Sequence, residues 1–141
     1  MLVREILSDK GGTVYSCNPN DSLADVVELL VGYNCGSLVV SENGEMVGII
    51  TERDILRACA LTRQSLEVLS VRDRMTRCPV TATPDDEIAD TMGAMTEHRI
   101  RHLPVIDGGR LVGVVSIGDV VKAQHNELCR ENHYLKSYIL G

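Results

Sequence analysis

Phenylalanine and tryptophan are absent from these 141 residues, and tyrosine appears only four times. A core without large rings must be assembled from Val, Leu, Ile, Ala and Met, the choice of tightly interleaved α/β layers. Basic residues are also in short supply: 14 Lys and Arg stand against 20 Asp and Glu, a net charge of −6. General binding to nucleic acid is thereby disfavoured, because neutralising phosphates needs a dense Lys/Arg face. Cys17, Cys35, Cys59, Cys78 and Cys129 are odd in number and scattered, and none forms a C-x-x-C pair. Neither a disulfide framework nor a zinc knuckle is indicated, and a reducing compartment is expected. No apolar run reaches membrane-spanning length, and the opening "MLVREILSDKGG" holds none fit for a secretory leader. The expectation is a cytoplasmic protein with no membrane and no nucleic-acid partner.

What the chain has instead is a repeat. At an offset of 65, residues 19–58 align with 84–123 without a gap, and eleven of the forty positions are identical. "GIITERDILRA" (48–58) returns as "GVVSIGDVVKA" (113–123), each with a hydroxyl residue (Thr51, Ser116) three positions before an aspartate (Asp54, Asp119). Upstream, "VRE" at Val3–Glu5 matches "VRD" at Val71–Asp73 at an offset of 68, so the first copy carries three extra residues near Lys10, Gly11 and Gly12.

Both copies follow one order. A short extended piece ends at Pro19 or Pro84. A helix opened by Asp21 or Asp86 follows, with Leu23, Val26, Val27 and Leu30, or Ile88, Met92 and Met95, at helical spacing. Two apolar runs joined by Asn43-Gly44 or Gly108-Gly109 read as hairpins, and closing helices start at Glu52 and Ile117. The expected fold is α/β (α+β): two tandem β-α-β-β-α units packed pseudo-symmetrically through their sheets, since one unit alone buries too little. The boundaries read as 1–60 for the first unit, 61–70 for a linker and 71–125 for the second. Residues 126–141 read as an extension of the last helix, with Leu128, Leu135 and Ile139 as its apolar positions.

With "HRIRHLPVIDGGRLVGVVSIGDVV" in the second copy and "GSLVV" and "GIITERDIL" in the first, the chain resembles a tandem pair of CBS domains. This regulatory module is named after cystathionine β-synthase, and the resemblance covers residues 1 to about 125. It extends to small stand-alone bacterial CBS-pair proteins through the closing "LKSYILG". The resemblance implies a homodimer that binds adenine nucleotides (AMP, ADP, ATP or NAD(H), with S-adenosylmethionine among the family's ligands) in clefts between repeats. It implies no catalysis, and signalling by shape change to an effector protein that this chain does not identify. Carried over residue by residue, one site combines Thr13, Val14, Tyr15, Cys35 and Gly36 with Ser116 and Asp119. The other combines Pro79, Val80, Thr81, Ile100 and Arg101 with Thr51 and Asp54.

The residue types suit that role. One carboxylate can accept from both hydroxyls of a ribose, and a strand-to-helix turn already favours anions. Thr51 and Ser116 can bond a phosphate or ribose oxygen without adding charge. Arg101 and His102, with Arg99 just before them and Arg53 in the first copy as a second candidate, supply cations for phosphate. The plainer reading of each hydroxyl–aspartate pair is a helix N-cap. The first copy's "NCGSLVV" lacks the basic pair and the proline of "RIRHLPV", so the two sites are not chemically equal. Catalytic motifs are missing: there is no phosphate-binding G-x-x-x-x-G-K, no G-x-G-x-x-G and no nucleophile–base pair. His125, Cys129 and His133 share one helix face but span about 12 Å of it, so holding zinc would need a second chain, and no metal is expected.

Overall fold

Each strand pair closes through a turn that only small residues make easily. Asn43 and Gly44 sit at φ 53° and 80°, Gly108 and Gly109 at φ 57° and 81°, the left-handed geometry of two-residue hairpins. The structure, a computed structural model, describes residues 1–140. Its elements run α1 (Val3–Lys10), β1 (Ser16–Cys17), α2 (Leu23–Tyr33), β2 (Ser37–Glu42), β3 (Glu45–Thr51), α3 (Glu52–Leu61), α4 (Val71–Arg74), α5 (Ile88–His98), β4 (His102–Asp107), β5 (Arg110–Ser116) and α6 (Ile117–Leu140). This is a mixed α/β chain with two small sheets. In one, β1 lies parallel to β2, which pairs antiparallel with β3; in the other, β4 pairs antiparallel with β5. The register slips at the same place in both hairpins, at Val40/Ser41 and at Val105/Ile106.

The chain divides into two compact units that do not coincide with the sequence repeats. One is Thr13–Val80; the other joins Met1–Gly12 to the chain from Thr81 onward. Each repeat's leader therefore packs with the other repeat's body. In the first unit, Val71 N–H donates to Asp21 O (2.9 Å) and Arg72 N–H to Pro19 O (2.9 Å), while Leu23 N–H donates to Leu69 O (2.9 Å). In the second unit the same three bonds recur as Val3 to Asp86 (2.9 Å), Arg4 to Pro84 (2.9 Å) and Ile88 to Met1 (3.0 Å). The identical Pro and Asp of the two copies thus form the landing sites for the leaders.

Two expectations are corrected. Asp21 and Asp86 do not open helices: α2 starts after Ser22, whose hydroxyl accepts from Asp25 N–H (3.1 Å), and α5 starts after Glu87. Asp21 and Asp86 instead close the preceding turns, accepting from Asn18 N–H (2.9 Å) and Thr83 N–H (2.8 Å). The extended piece before Pro84 forms no strand. Ala82 alone bridges Val105, through Ala82 N–H to Pro104 O (2.9 Å) and Ile106 N–H to Ala82 O (2.8 Å). The segment read as a linker is held down at its end, where Leu69 is buried and Ala24 N–H donates to Leu66 O (3.1 Å).

Both cores are aliphatic. Cys17, Leu23, Val26, Leu30, Leu38, Val40, Ile50, Ile55, Leu69, Val71 and Met75 form one. Val3, Ile6, Ala82, Ile88, Met95, Leu103, Val105, Val115, Val120 and Ala123 are buried apolar residues of the other unit. Burial, with the Asp21 charge added, pushes the Cys17 thiol up to about 12, so it behaves as a small apolar side chain. The closing helix α6 runs 24 residues as one piece, with Leu128, Leu135 and Ile139 exposed along its second half. Among the described residues, no helix is long and apolar enough to cross a membrane.

Candidate functional site

The two hydroxyl–aspartate pairs are built alike. In each unit a hairpin strand ends at the hydroxyl residue and a helix begins at the next position, so the aspartate falls in the first turn. Thr51 N–H donates to Asp54 Oδ2 (2.9 Å) and Asp54 N–H to Thr51 Oγ1 (3.4 Å), a reciprocal cap. Ser116 N–H donates to Asp119 Oδ2 (2.9 Å) and Asp119 N–H to Ser116 Oγ (3.1 Å). A backbone carbonyl from the preceding turn meets each helix start: Gly36 O accepts from Glu52 N–H (3.1 Å), and Arg101 O from Ile117 N–H (2.8 Å). Those turns are set by left-handed residues, Asn34 (φ 52°) and Arg99 (φ 55°), which end α2 and α5 and send Cys35 N–H to Leu30 O and Ile100 N–H to Met95 O, both 3.0 Å.

The carboxylates differ in surroundings. Asp54 is 8% exposed, and its burial pushes the pKa above the ordinary 3.8, outweighing the Thr51 hydrogen bonds and the charge of Arg57. Asp119 is also partly buried, but its Lys10 and Ser116 hydrogen bonds and the Lys10 charge outweigh desolvation and hold it below 3.8. Lys10 Nζ stands 2.7 Å from Asp119 Oδ2 and 2.9 Å from Val114 O. The sign of the pH dependence follows. With Asp54 the folded state binds the proton more tightly, so stability falls as pH rises from 3.8 through its raised value. With Asp119 the unfolded state binds it more tightly, so stability is lost as pH falls from 3.8 through its lowered value. Urea unfolding of Asp54→Asn and Asp119→Asn between pH 7 and pH 3, each referred to the parent, is expected to show opposite trends. Parallel trends would show that the two carboxylates share one environment.

The other expected contact residues fall as follows. In the first unit Thr13 and Tyr15 are exposed, Val14, Cys35 and Gly36 half-buried, and Pro79 and Val80 half-buried at the unit's end. Thr81, exposed, belongs to the second unit. There Ile100 is half-buried, Arg101 exposed and His102 half-buried as the first residue of β4. Arg99 caps α5 and Arg53 lies exposed in the first turn of α3. Two residues escaped the sequence reading. Tyr33 stacks on Tyr15 with ring centroids 3.9 Å apart and planes 13° from parallel, a flat aromatic pair at the entrance to β1. Lys10 is the other, and the three-residue insertion around it was the available signal. His125 Nε2 and Cys129 Sγ approach to 3.6 Å, but no group of three or more His, Cys, Asp or Glu side chains converges among the described residues.

A repeated α-β-β-α body, preceded by a short strand in the first copy and by the single Ala82 bridge in the second, with a hydroxyl–aspartate cap at each closing helix, defines a class of small regulatory modules. The CBS domain family model matches twice, over residues 3–61 and 71–126, and the chain belongs to that family as a CBS pair. It is 38% identical over 148 residues to the mitochondrial CBS domain-containing protein CBSX3 of Arabidopsis thaliana, with 99% of this chain and 72% of the plant protein covered. Among solved structures it resembles a protein with CBS domains from Burkholderia ambifaria: TM-score 0.84, 39% identity, and coverage of 87% of this chain and 93% of that one. The CBS domain pair of protein MJ0100, solved with 5′-methylthioadenosine and S-adenosyl-L-methionine, gives TM-score 0.76 and 28% identity, covering 87% of this chain and 98% of that one.

Proposed function

We propose that this chain is a regulatory sensor that binds adenosine-containing nucleotides through its two hydroxyl–aspartate pairs and carries no catalytic activity. The observation that carries this reading is the duplicated pair, each copy presenting a carboxylate and a hydroxyl at a helix start that favours anions. That the MJ0100 pair holds adenosine compounds supports it. The basic cluster of Arg101 and His102 favours a phosphate-bearing ligand such as AMP, ADP, ATP or NAD(H) over S-adenosylmethionine. The signal follows from linkage: a nucleotide shifts a conformational or assembly equilibrium by its differential affinity for the two states, and a separate effector protein reads the result. The exposed apolar positions of α6 suit a homodimer. They also favour the second reading, a ligand-free association module in which the two pairs serve only as caps. Calorimetric titration of nucleotide-stripped protein with AMP, ATP, NADH and S-adenosylmethionine separates the two. Micromolar binding of a phosphorylated ligand is expected; a folded protein that binds none of the four leaves the association module.

A further inference from the structure

The two pairs differ in one hydrogen-bonding slot. Asp54 Oδ2 receives both Thr51 N–H and the Thr51 hydroxyl, the latter at 3.2 Å. Asp119 Oδ2 receives Ser116 N–H, but its second donor is the Lys10 ammonium at 2.7 Å. Lys10 comes from the end of α1, 109 positions away in the chain, and belongs to the insertion that the second repeat's leader lacks. The counterpart helix α4 stops at Arg74 after four residues, whereas α1 continues for eight and delivers Lys10. A second bond, from Lys10 Nζ to Val114 O at 2.9 Å, fixes the ammonium beside the strand end.

The chemical consequence is charge. A bare carboxylate within a few ångströms repels a phosphate, whereas the Lys10–Asp119 pair carries no net charge. The ammonium has three N–H donors, of which Asp119 and Val114 take two, and the side chain is 37% exposed.

We infer that Lys10 is a specificity-determining residue: it makes the Ser116–Asp119 pair select adenosine carrying a 5′-phosphate over uncharged adenosine. The inference rests on the nucleotide reading and names the ligand class of that one pair. The experiment is titration of the parent, Lys10→Met and Lys10→Arg proteins with AMP and with adenosine. The parent is expected to prefer AMP. Lys10→Met is expected to lose about tenfold or more in AMP affinity while adenosine changes little, and Lys10→Arg to retain most of the preference. Equal losses for both ligands assign Lys10 a purely structural role and overturn the inference, as does a Lys10→Met protein that still prefers AMP. A parent that binds both ligands equally overturns it while the nucleotide reading survives. A folded parent that binds neither ends both.

Discussion

Asp119→Ala is expected to weaken AMP binding at the second pair by about 100-fold or more, because hydrogen bonds to a charged acceptor are worth about 1.5–3 kcal/mol each and a ribose offers two. Two features put the largest effect here. Asp119 has a side chain 25% exposed, enough for a ligand to reach, whereas Asp54 is 8% exposed. Lys10 and Ser116 hold its carboxyl below 3.8, so it is ionised throughout the neutral range. Since the carboxylate also caps α6 through Ser116 N–H, the variant is expected to lose about 1 kcal/mol of stability as well. Asp119→Asn keeps the shape and one acceptor oxygen, and is expected to fall between the parent and the alanine variant. The measurement is calorimetry on protein shown by circular dichroism to be folded. AMP binding that ignores both substitutions would reduce Asp119 to a helix cap.

Much of the element order is legible in the repeat, for physical reasons that apply locally. Asn43-Gly44 and Gly108-Gly109 demand left-handed backbone, and the apolar runs around them can then only pair as hairpins. Glu52 and Ile117 start helices because Thr51, Asp54, Ser116 and Asp119 satisfy the free N–H groups there. The exchange of leaders is not legible. Val3 and Ile6 mark a face of α1 that must be buried, but an apolar stripe does not say which repeat covers it. The helix starts at Asp21 and Asp86 are misread for a related reason: an aspartate after a proline serves a turn as readily as a helix, and the side chain's partner decides. At the site, the hydroxyl–aspartate pairing spans three residues and follows from spacing, whereas the Lys10–Asp119 contact spans 109. Tyr33 escaped because its stacking partner Tyr15 lies outside its helix, in the segment before β1, and periodicity is silent about such meetings.

The exchange of leaders makes a quantitative claim about two equivalent glycines. A Cβ added at Gly48 would lie 2.7 Å from Thr76 O and 3.0 Å from Met75 Sδ, the residues that follow α4. One added at Gly113 would lie 2.6 Å from Leu7 Cδ2, on α1. The obstacles differ in kind. Thr76 O accepts from Ile49 N–H (3.0 Å) while Thr76 N–H donates to Ile49 O (2.9 Å), so the carbonyl beside Gly48 is pinned to β3 and cannot yield without breaking both bonds. Leu7 Cδ2 is the tip of a half-buried side chain that can change rotamer. Gly48→Ala is therefore expected at the upper end of overpacking costs, about 3 kcal/mol, and Gly113→Ala at the lower end, about 1 kcal/mol, both read from urea midpoints. A pair of double-mutant cycles sharpens the contrast. Leu7→Ala clears the space beside Gly113, so Leu7→Ala with Gly113→Ala should cost less than the sum of the singles. Met75→Ala leaves the Thr76 carbonyl in place, so its combination with Gly48→Ala should show little such relief. Equal costs for the two glycine variants, or rescue by Met75→Ala as large as that by Leu7→Ala, would mean that the Thr76 carbonyl yields as easily as a leucine methyl.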